Sequence, residues 1–431
     1  MFFDAPFEPL LAGCGIDFLG EIIAYLVRVK ANDRMGYSLI REVIFDWLQQ
    51  RPNAVAEFAI QIATRRPIWR VSDGLLVTGH HEITQILGRD RDFQLAPLIS
   101  PRTYTGDFLL SLENGPSYQK TREILIDATR NTQGFSAAID DLCEIHVRNF
   151  SDSLFETKPK TVDVIADFCE PAVADIVAKL YFGNLDLAPQ DISPSIRILA
   201  NHMVGDRTNP EKTAEAARIL ERLVRTSAQI DSVNCHPLGI LQKIYPCLEP
   251  GEAIAAVCGL ATTGVTTITK AFAHCIAQLL GDEKLLKRFQ ELTPSDPEWN
   301  QMVLELLRFW PVFPFIRRYA PVTASVSARD GTQFRLNPGD TITLALVAGM
   351  FDPKTFPEPR RVRIDRKESD YLVFGSGLHQ CFGRSIVFMV LRHFLPSVLA
   401  SSGRFSLLPG RQSDIRYDGP AAIHLTLGHD P

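Results

Sequence analysis

The sequence has no C-x-x-C pair, no glycine-rich nucleotide fingerprint, no Pro/Gly/Ser-rich linker and no internal repeat. Each absence excludes something. The eight cysteines (Cys14, Cys143, Cys169, Cys235, Cys247, Cys258, Cys275 and Cys381) are scattered. They lack the spacing of a disulfide framework or an iron–sulfur centre, and a reducing cytoplasm is the simplest compartment. Cys235-His236 has no second ligand pair nearby to complete a metal site. Without a flavin- or NAD-binding motif, any electrons the protein uses must come from another molecule. A formal net charge of −5 over 431 residues argues against nucleic acid as the main partner. The absence of linkers favours one large domain over several, and 45% apolar with 22% charged residues suits a soluble globular protein. Acidic residues Asp4, Glu8, Asp17 and Glu21 interrupt the apolar N-terminus, and no basic segment precedes it. No transmembrane anchor is expected there; residues 1–55 read as a helical extension, with helices near 16–30 and 37–50, packed on a body formed by residues 56–431.

The most informative stretch runs from Phe374 to Arg384, FGSGLHQCFGR, with Phe374, Gly377, His379, Cys381 and Gly383 in the register F-x-x-G-x-H-x-C-x-G. Each has a physical role if Cys381 is a thiolate on haem iron. The apolar residues after Cys381 recur at helical spacing, with no proline before Pro396, so a helix start with its free N–H groups would stabilise the sulfur's charge. Gly375 and Gly377 permit the torsions of a tight loop, and Gly383 lets the helix approach a large cofactor. Phe374 can shield the sulfur from water, and His379 can reach a carboxylate at the haem edge.

This stretch resembles the haem-binding signature of the cytochrome P450 family, and three partner motifs stand upstream in the family's order. The helix opened by Gly115-Pro116 carries Tyr118 and Arg122 four residues apart on one face. In P450s this helix supplies propionate ligands; Arg122 matches the arginine, and Tyr118 occupies the usual histidine position. From Pro250, the run GEAIAAVCGLATTGVTTITKAFAHCIAQLLG reads as a helix of about eight turns, apolar on nearly all faces and therefore buried. It resembles the family's distal helix, whose centre is A/G-G-x-D/E-T. With Thr263-Gly264 as the first pair, Thr267 is the family's threonine and Thr266 stands at the acid; shifted by one, Thr266 is the threonine and Val265 stands at the acid. Both registers lack the carboxylate that helps deliver protons during O–O cleavage. The third motif is Glu305-x-x-Arg308, followed by WPVFPFIRR, a match to the ion pair that braces the haem side, with a third arginine expected from Arg360 or Arg361.

The resemblance covers roughly residues 60 to 430 and implies a mainly α fold with small β-sheets, a single large P450-like domain enclosing one haem b. Cys381 would be the proximal iron ligand. Tyr118, Arg122 and Arg318 (with Arg317 as its alternative) would anchor propionates beside His379, while Phe374, Gly375 and Gly383 shape the loop. Gly264, Thr266 and Thr267 would serve proton delivery. Phe108, Leu109, Thr263, Phe313 and Phe315 would line the substrate pocket, under a long apolar loop at 92–112. The activity implied is a cytoplasmic, monomeric monooxygenase. It would act on a medium-sized apolar molecule of lipid, terpenoid, steroid or polyketide type, with electrons from a separate ferredoxin and its reductase. The arginine-rich PEPRRVRIDR, with Lys120 and Arg384, would dock the acidic ferredoxin. The missing acid motivates a peroxide-dependent alternative, and a haem-binding sensor without turnover is the reading from another class. The residues also predict hairpins at Ser72-Asp73-Gly74 and at Asp330-Gly331, the latter including DTITLALV.

Overall fold

A computed structural model describes residues 66–71, 74–99, 103–204, 209–230, 235–399, 405–408, 415–419 and 421–429. The expected extension, residues 1–55, lies outside them, as do Ser72 and Asp73. The chain opens with β1 (Ile68–Val71), β2 (Gly74–Val77) and α1 (His80–Leu87). After a one-turn helix at Ala96–Ile99 come α2 (Pro116–Thr129), α3 (Phe135–Thr157), β3 (Thr161–Asp163) and α4 (Glu170–Ile176), the last flanked by π-helical turns, Ile165–Cys169 and Val177–Tyr181. Next are α5 (Pro189–Val204), α6 (Pro210–Ser227), α7 (Pro250–Gly281), α8 (Glu283–Gln290) and α9 (Pro297–Phe309). Strands β4 (Ile316–Tyr319), β5 (Ala324–Ser327), β6 (Gln333–Leu336) and β7 (Thr341–Leu344) precede α10 (Arg384–Leu399). The chain closes with β8 (Phe405–Leu407), β9 (Ile415–Asp418) and β10 (Ala421–His429). The mainly α architecture with small sheets is the one expected.

Contacts divide the chain into two compact units: the segment up to Leu98 with Leu304–Gln380, and Ile99–Val303 with Cys381 onward. The first holds a sheet in the order β1-β2-β7-β4, with β2 and β7 parallel and the other pairs antiparallel. The β1–β2 hairpin forms as predicted, closing with Val71 opposite Gly74. The second hairpin needs correction. β5 and β6 pair around Asp330-Gly331, but β7 (TITL, within DTITLALV) leaves them and lies between β2 and β4. Pro338 stands between β6 and β7, where Asp340 donates its N–H to the Asn337 carbonyl; this turn redirects the chain, and both edges of β7 are then bonded.

The second unit is built on α7. Pro250 opens it at the first helical position, behind a reciprocal cap between Glu249 and Glu252, and Asp282 ends it while capping α8 through the N–H groups of Lys284 and Leu285. Few charges lie between, and α4, α5, α6 and α10 all pack on it. It is the one described helix long and apolar enough to cross a membrane, and most of its apolar stretch is buried inside the protein. α10 packs on α7 and α3, and it runs past Pro396 to Leu399, beyond the break the proline suggested. β10 pairs with β3, β8 and β9 beside α7.

Candidate functional site

In the second unit, Cys381 lies three residues before α10, and the backbone N–H groups of Gly383 and Arg384 donate to its sulfur. Burial pushes the Cys381 thiol up; those N–H groups and the Arg130 and Arg384 charges oppose the rise. Arg130, which caps α2, also donates from Nη2 to the Phe382 carbonyl at 2.9 Å and lies 5.3 Å from the centre of the Phe382 ring. Sequence reasoning missed it, because 252 residues separate the two partners and no local spacing links them. Tyr118 is buried on α2 and Arg122 half-buried one turn on, so the helix carries both where the motif put them.

On α7, Leu260, Thr263, Gly264 and Thr267 retain partial exposure while almost all their neighbours are buried. At spacings of three and four residues they form one open stripe on a buried helix. Thr266 is on the buried side, its hydroxyl donating to the Thr262 carbonyl at 3.2 Å. Thr267 donates to the Thr263 carbonyl at 2.6 Å, and Thr263 to that of Gly259 at 2.8 Å. The stripe therefore carries Thr267 and not Thr266, and no carboxylate stands on it. The loop around residue 108 leans on the same helix: Phe108 and Leu109 are buried, and the Phe108 ring fills the space over Gly259. A second residue missed in the sequence is Tyr181. Its ring lies 3.9 Å from where a β-carbon of Gly264 would stand, and burial, with the Cys381 charge, raises its phenol well above the ordinary value.

In the first unit, Gly375 and Gly377 adopt φ of 67° and 74°, as the loop reading required. A β-carbon at Gly377 would strike the Leu87 carbonyl, so only glycine fits. Phe374, His379, Phe313 and Phe315 are half-buried, and Arg318 is buried in β4 with its Nη1 donating to the Arg317 carbonyl at 2.8 Å. Glu305 and Arg308 form the expected two-pronged ion pair, at 2.9 and 2.8 Å, with neither side chain exposed. The third arginine is a correction. Arg360 and Arg361 do not supply it; Arg366, 5% exposed, lies 3.2 Å from Glu305, and Tyr371 donates to the same carboxylate at 2.7 Å. The Arg361 side chain is 73% exposed and pairs with Glu358, while only its backbone carbonyl accepts from Arg308. Arg363 pairs with Glu358 and Asp365, so much of the arginine-rich stretch is neutralised locally.

The second unit suits a flat macrocycle whose metal takes a thiolate. Nothing lies within 4 Å of a β-carbon built on Gly383, Gly264 meets only Tyr181, and the sulfur already has two N–H donors. Residues 297–426 match the family model for Cytochrome P450. The chain is 25% identical over 229 residues to Psi-producing oxygenase A of Emericella nidulans, a match covering 51% of this chain and 20% of that protein. It is 30% identical over 150 residues to cytochrome P450 105C1 of a Streptomyces species, covering 34% of this chain and 38% of that one. The chain thus spans about a fifth of the oxygenase and under two-fifths of the Streptomyces protein. Among solved structures, P450BioI in complex with an acyl carrier protein ligated to hexadec-9Z-enoic acid superposes with a TM-score of 0.71 and 20% identity, over 89% of this chain and 99% of that one. At that identity the likeness establishes the fold.

Proposed function

We propose that this chain is a haem-thiolate protein of the cytochrome P450 kind, in which the haem iron is bound by a cysteine thiolate, that Cys381 is that ligand, and that the protein is a monooxygenase. The observation that carries the reading is the Cys381 sulfur at the start of α10, receiving N–H groups from Gly383 and Arg384. Bound haem supplies the oxidising chemistry. The chain's own residues do the rest. Tyr118, Arg122, Arg318 and His379 anchor the haem carboxylates, and Thr267 holds a proton at its hydroxyl on the open stripe of α7. Phe108, Leu109, Thr263, Phe313 and Phe315 offer apolar surface to the substrate and exclude water.

The substrate in this reading is a medium-sized, largely apolar organic molecule; the acyl chain in the P450BioI complex supports a lipid-like member of that class. Electrons come from a separate ferredoxin, docking on a face that includes Lys120 and Arg384. The protein works as a cytoplasmic monomer. One observation favours peroxide as the oxidant instead, namely the absence of a carboxylate on the α7 stripe. Product formed with peroxide at or above the ferredoxin-driven rate would select that variant.

The test is the absorption spectrum of the dithionite-reduced, carbon-monoxide-bound protein. A strongly red-shifted Soret band, lost in Cys381→Ala, is expected. A band typical of histidine ligation, or persistence of the red-shifted band in the variant, would sink the reading.

A further inference from the structure

The peptide unit that joins Phe382 to Gly383 is bonded at both ends. Its N–H, on Gly383, donates to the Cys381 sulfur. Its carbonyl, on Phe382, accepts from Arg130 Nη2 at 2.9 Å. Arg130 stands just past α2, where its own N–H is held by the Ile126 carbonyl. The turn that carries it is fastened as well. Asn131 donates to the Asp127 carboxylate at 2.6 Å, Thr132 to the Asp127 carbonyl at 2.8 Å, and Lys243 Nζ to the Thr132 hydroxyl at 3.2 Å. Arg130 is exposed, yet among the described residues its guanidinium pairs with no carboxylate. Both its contacts are with Phe382: the carbonyl, and the ring whose centre is 5.3 Å away.

An arginine serving only solubility has no reason to take this geometry. Holding a long side chain by two contacts costs rotamer entropy, and on this exposed edge water could serve the carbonyl instead. What the cation adds is polarity. A charged donor on a carbonyl draws electron density through the amide, so the N–H at the far end becomes a stronger donor. The same bond fixes the plane of the peptide, and with it the line along which the Gly383 N–H meets the sulfur. Gly383 itself imposes little restraint, since nothing lies within 4 Å of the place a β-carbon would take.

We propose that Arg130 is a positioning residue for the cysteine ligand, acting through the Phe382–Gly383 peptide to raise the reduction potential of the bound haem. The inference rests on the assignment of Cys381 as the thiolate ligand. Reduction adds one electron to the iron, from ferredoxin in that reading or from dithionite in the test, and no proton. The iron–thiolate unit thereby becomes more negative by one charge. A donor to the sulfur stabilises the reduced form more than the oxidised one, so a stronger donor means a higher potential. Phe382 has the second part, since its ring keeps the guanidinium beside the carbonyl. Control of the potential then lies with an exposed side chain 251 residues before the cysteine in the sequence.

The experiment titrates holoenzyme with dithionite and redox mediators, reading the midpoint potential from the Soret band, for wild type, Arg130→Met, Arg130→Lys and Phe382→Leu. Arg130→Met keeps the apolar stem and removes both bond and charge. It should lower the reduction equilibrium constant about tenfold, which is about 59 mV for one electron. Resonance Raman should show its iron–sulfur stretch raised, because the sulfur yields less density to its donors. Phe382→Leu keeps the carbonyl and releases the guanidinium, so its shift should be smaller and of the same sign. Arg130→Lys should recover part of the loss, and all variants should keep the red-shifted carbon-monoxide band. The difference between wild type and Arg130→Met should persist in about 1 M salt, where the screening length is about 3 Å. A difference that vanishes there would make Arg130 a through-space charge and overturn the relay, as would equal potentials or an unchanged stretch. If Arg130→Met does not retain haem, Arg130→Lys and Phe382→Leu decide by the same two readings. Wild type without the red-shifted band would instead remove Cys381 as the ligand on which the relay depends.

Discussion

Gly259 on α7 is the floor on which Phe108 rests: a β-carbon there would overlap the Phe108 ring. The close approach holds the loop around residue 108 against the half of α7 that leads to the open stripe. Gly259→Ala is expected to push Phe108 off the helix and reshape the candidate pocket while α7, which gains a better helix former, stays folded. Spin-shift titration should show ligand affinity changed by about 10-fold or more with the carbon-monoxide spectrum intact. Unchanged affinities would separate Phe108 from the pocket.

The buried cluster on Glu305 gives a contrast in stability. Glu305→Leu strands the charges of Arg308 and Arg366 in a dry interior, at a cost of about 3–5 kcal/mol. Arg361→Ala breaks only an exposed pair with Glu358 and should cost no more than about 1 kcal/mol. Urea unfolding midpoints measure both. Comparable losses would contradict the assignment of Arg366 as the third arginine.

Two glycines of the cysteine motif should fail in different ways. At Gly377, alanine meets both a left-handed torsion, worth about 1–2 kcal/mol, and the Leu87 carbonyl, so Gly377→Ala should lower the unfolding midpoint. At Gly383, alanine meets no protein atom within 4 Å. Gly383→Ala should therefore fold normally but take up less haem, read as the ratio of Soret to protein absorbance. Full haem content there would remove Gly383 from the cofactor site.

The stripe on α7 separates two neighbouring threonines. Thr267→Val removes a hydroxyl on the half-open face and should raise the peroxide released per NAD(P)H oxidised by about 10-fold. Thr266→Val removes one buried intrahelical bond, should cost about 1 kcal/mol in stability and should leave coupling as it was. The opposite ranking would shift the motif's register by one.

Acid stability should depend on His80. Burial holds this histidine below its ordinary value, against the bond its Nε2 makes to the Asp370 carbonyl at 2.7 Å. Unfolded, it takes a proton near its ordinary value of about 6.5. Below that pH the unfolded chain binds more protons than the folded one, so stability is lost as pH falls toward the folded pKa. Unfolding midpoints measured from about pH 7.5 to about pH 5.5 should drop more for wild type than for His80→Gln, which can keep the bond. Parallel curves would assign the acid sensitivity elsewhere.

Much of this protein is local in its sequence. The glycine torsions of the Phe374–Arg384 loop, the Glu305–Arg308 pair three residues apart on one helix, and the long apolar run of α7 depend on neighbours within a turn or two, so spacing alone reveals them. What the sequence could not decide depends on where the chain returns. Arg130 reaches Phe382 across 252 residues, Tyr417 reaches His274 across 143, and Tyr371 reaches Glu305 across 66. Residue types mark these as capable of bonding, but long-range packing chooses the partner. The same holds for β7, whose alternation makes it a strand while only the sheet sets it between β2 and β4. Thr266 and Thr267 are indistinguishable as letters. The packing around α7 buries one and leaves the other open, because a buried helix differs from face to face only through what covers it.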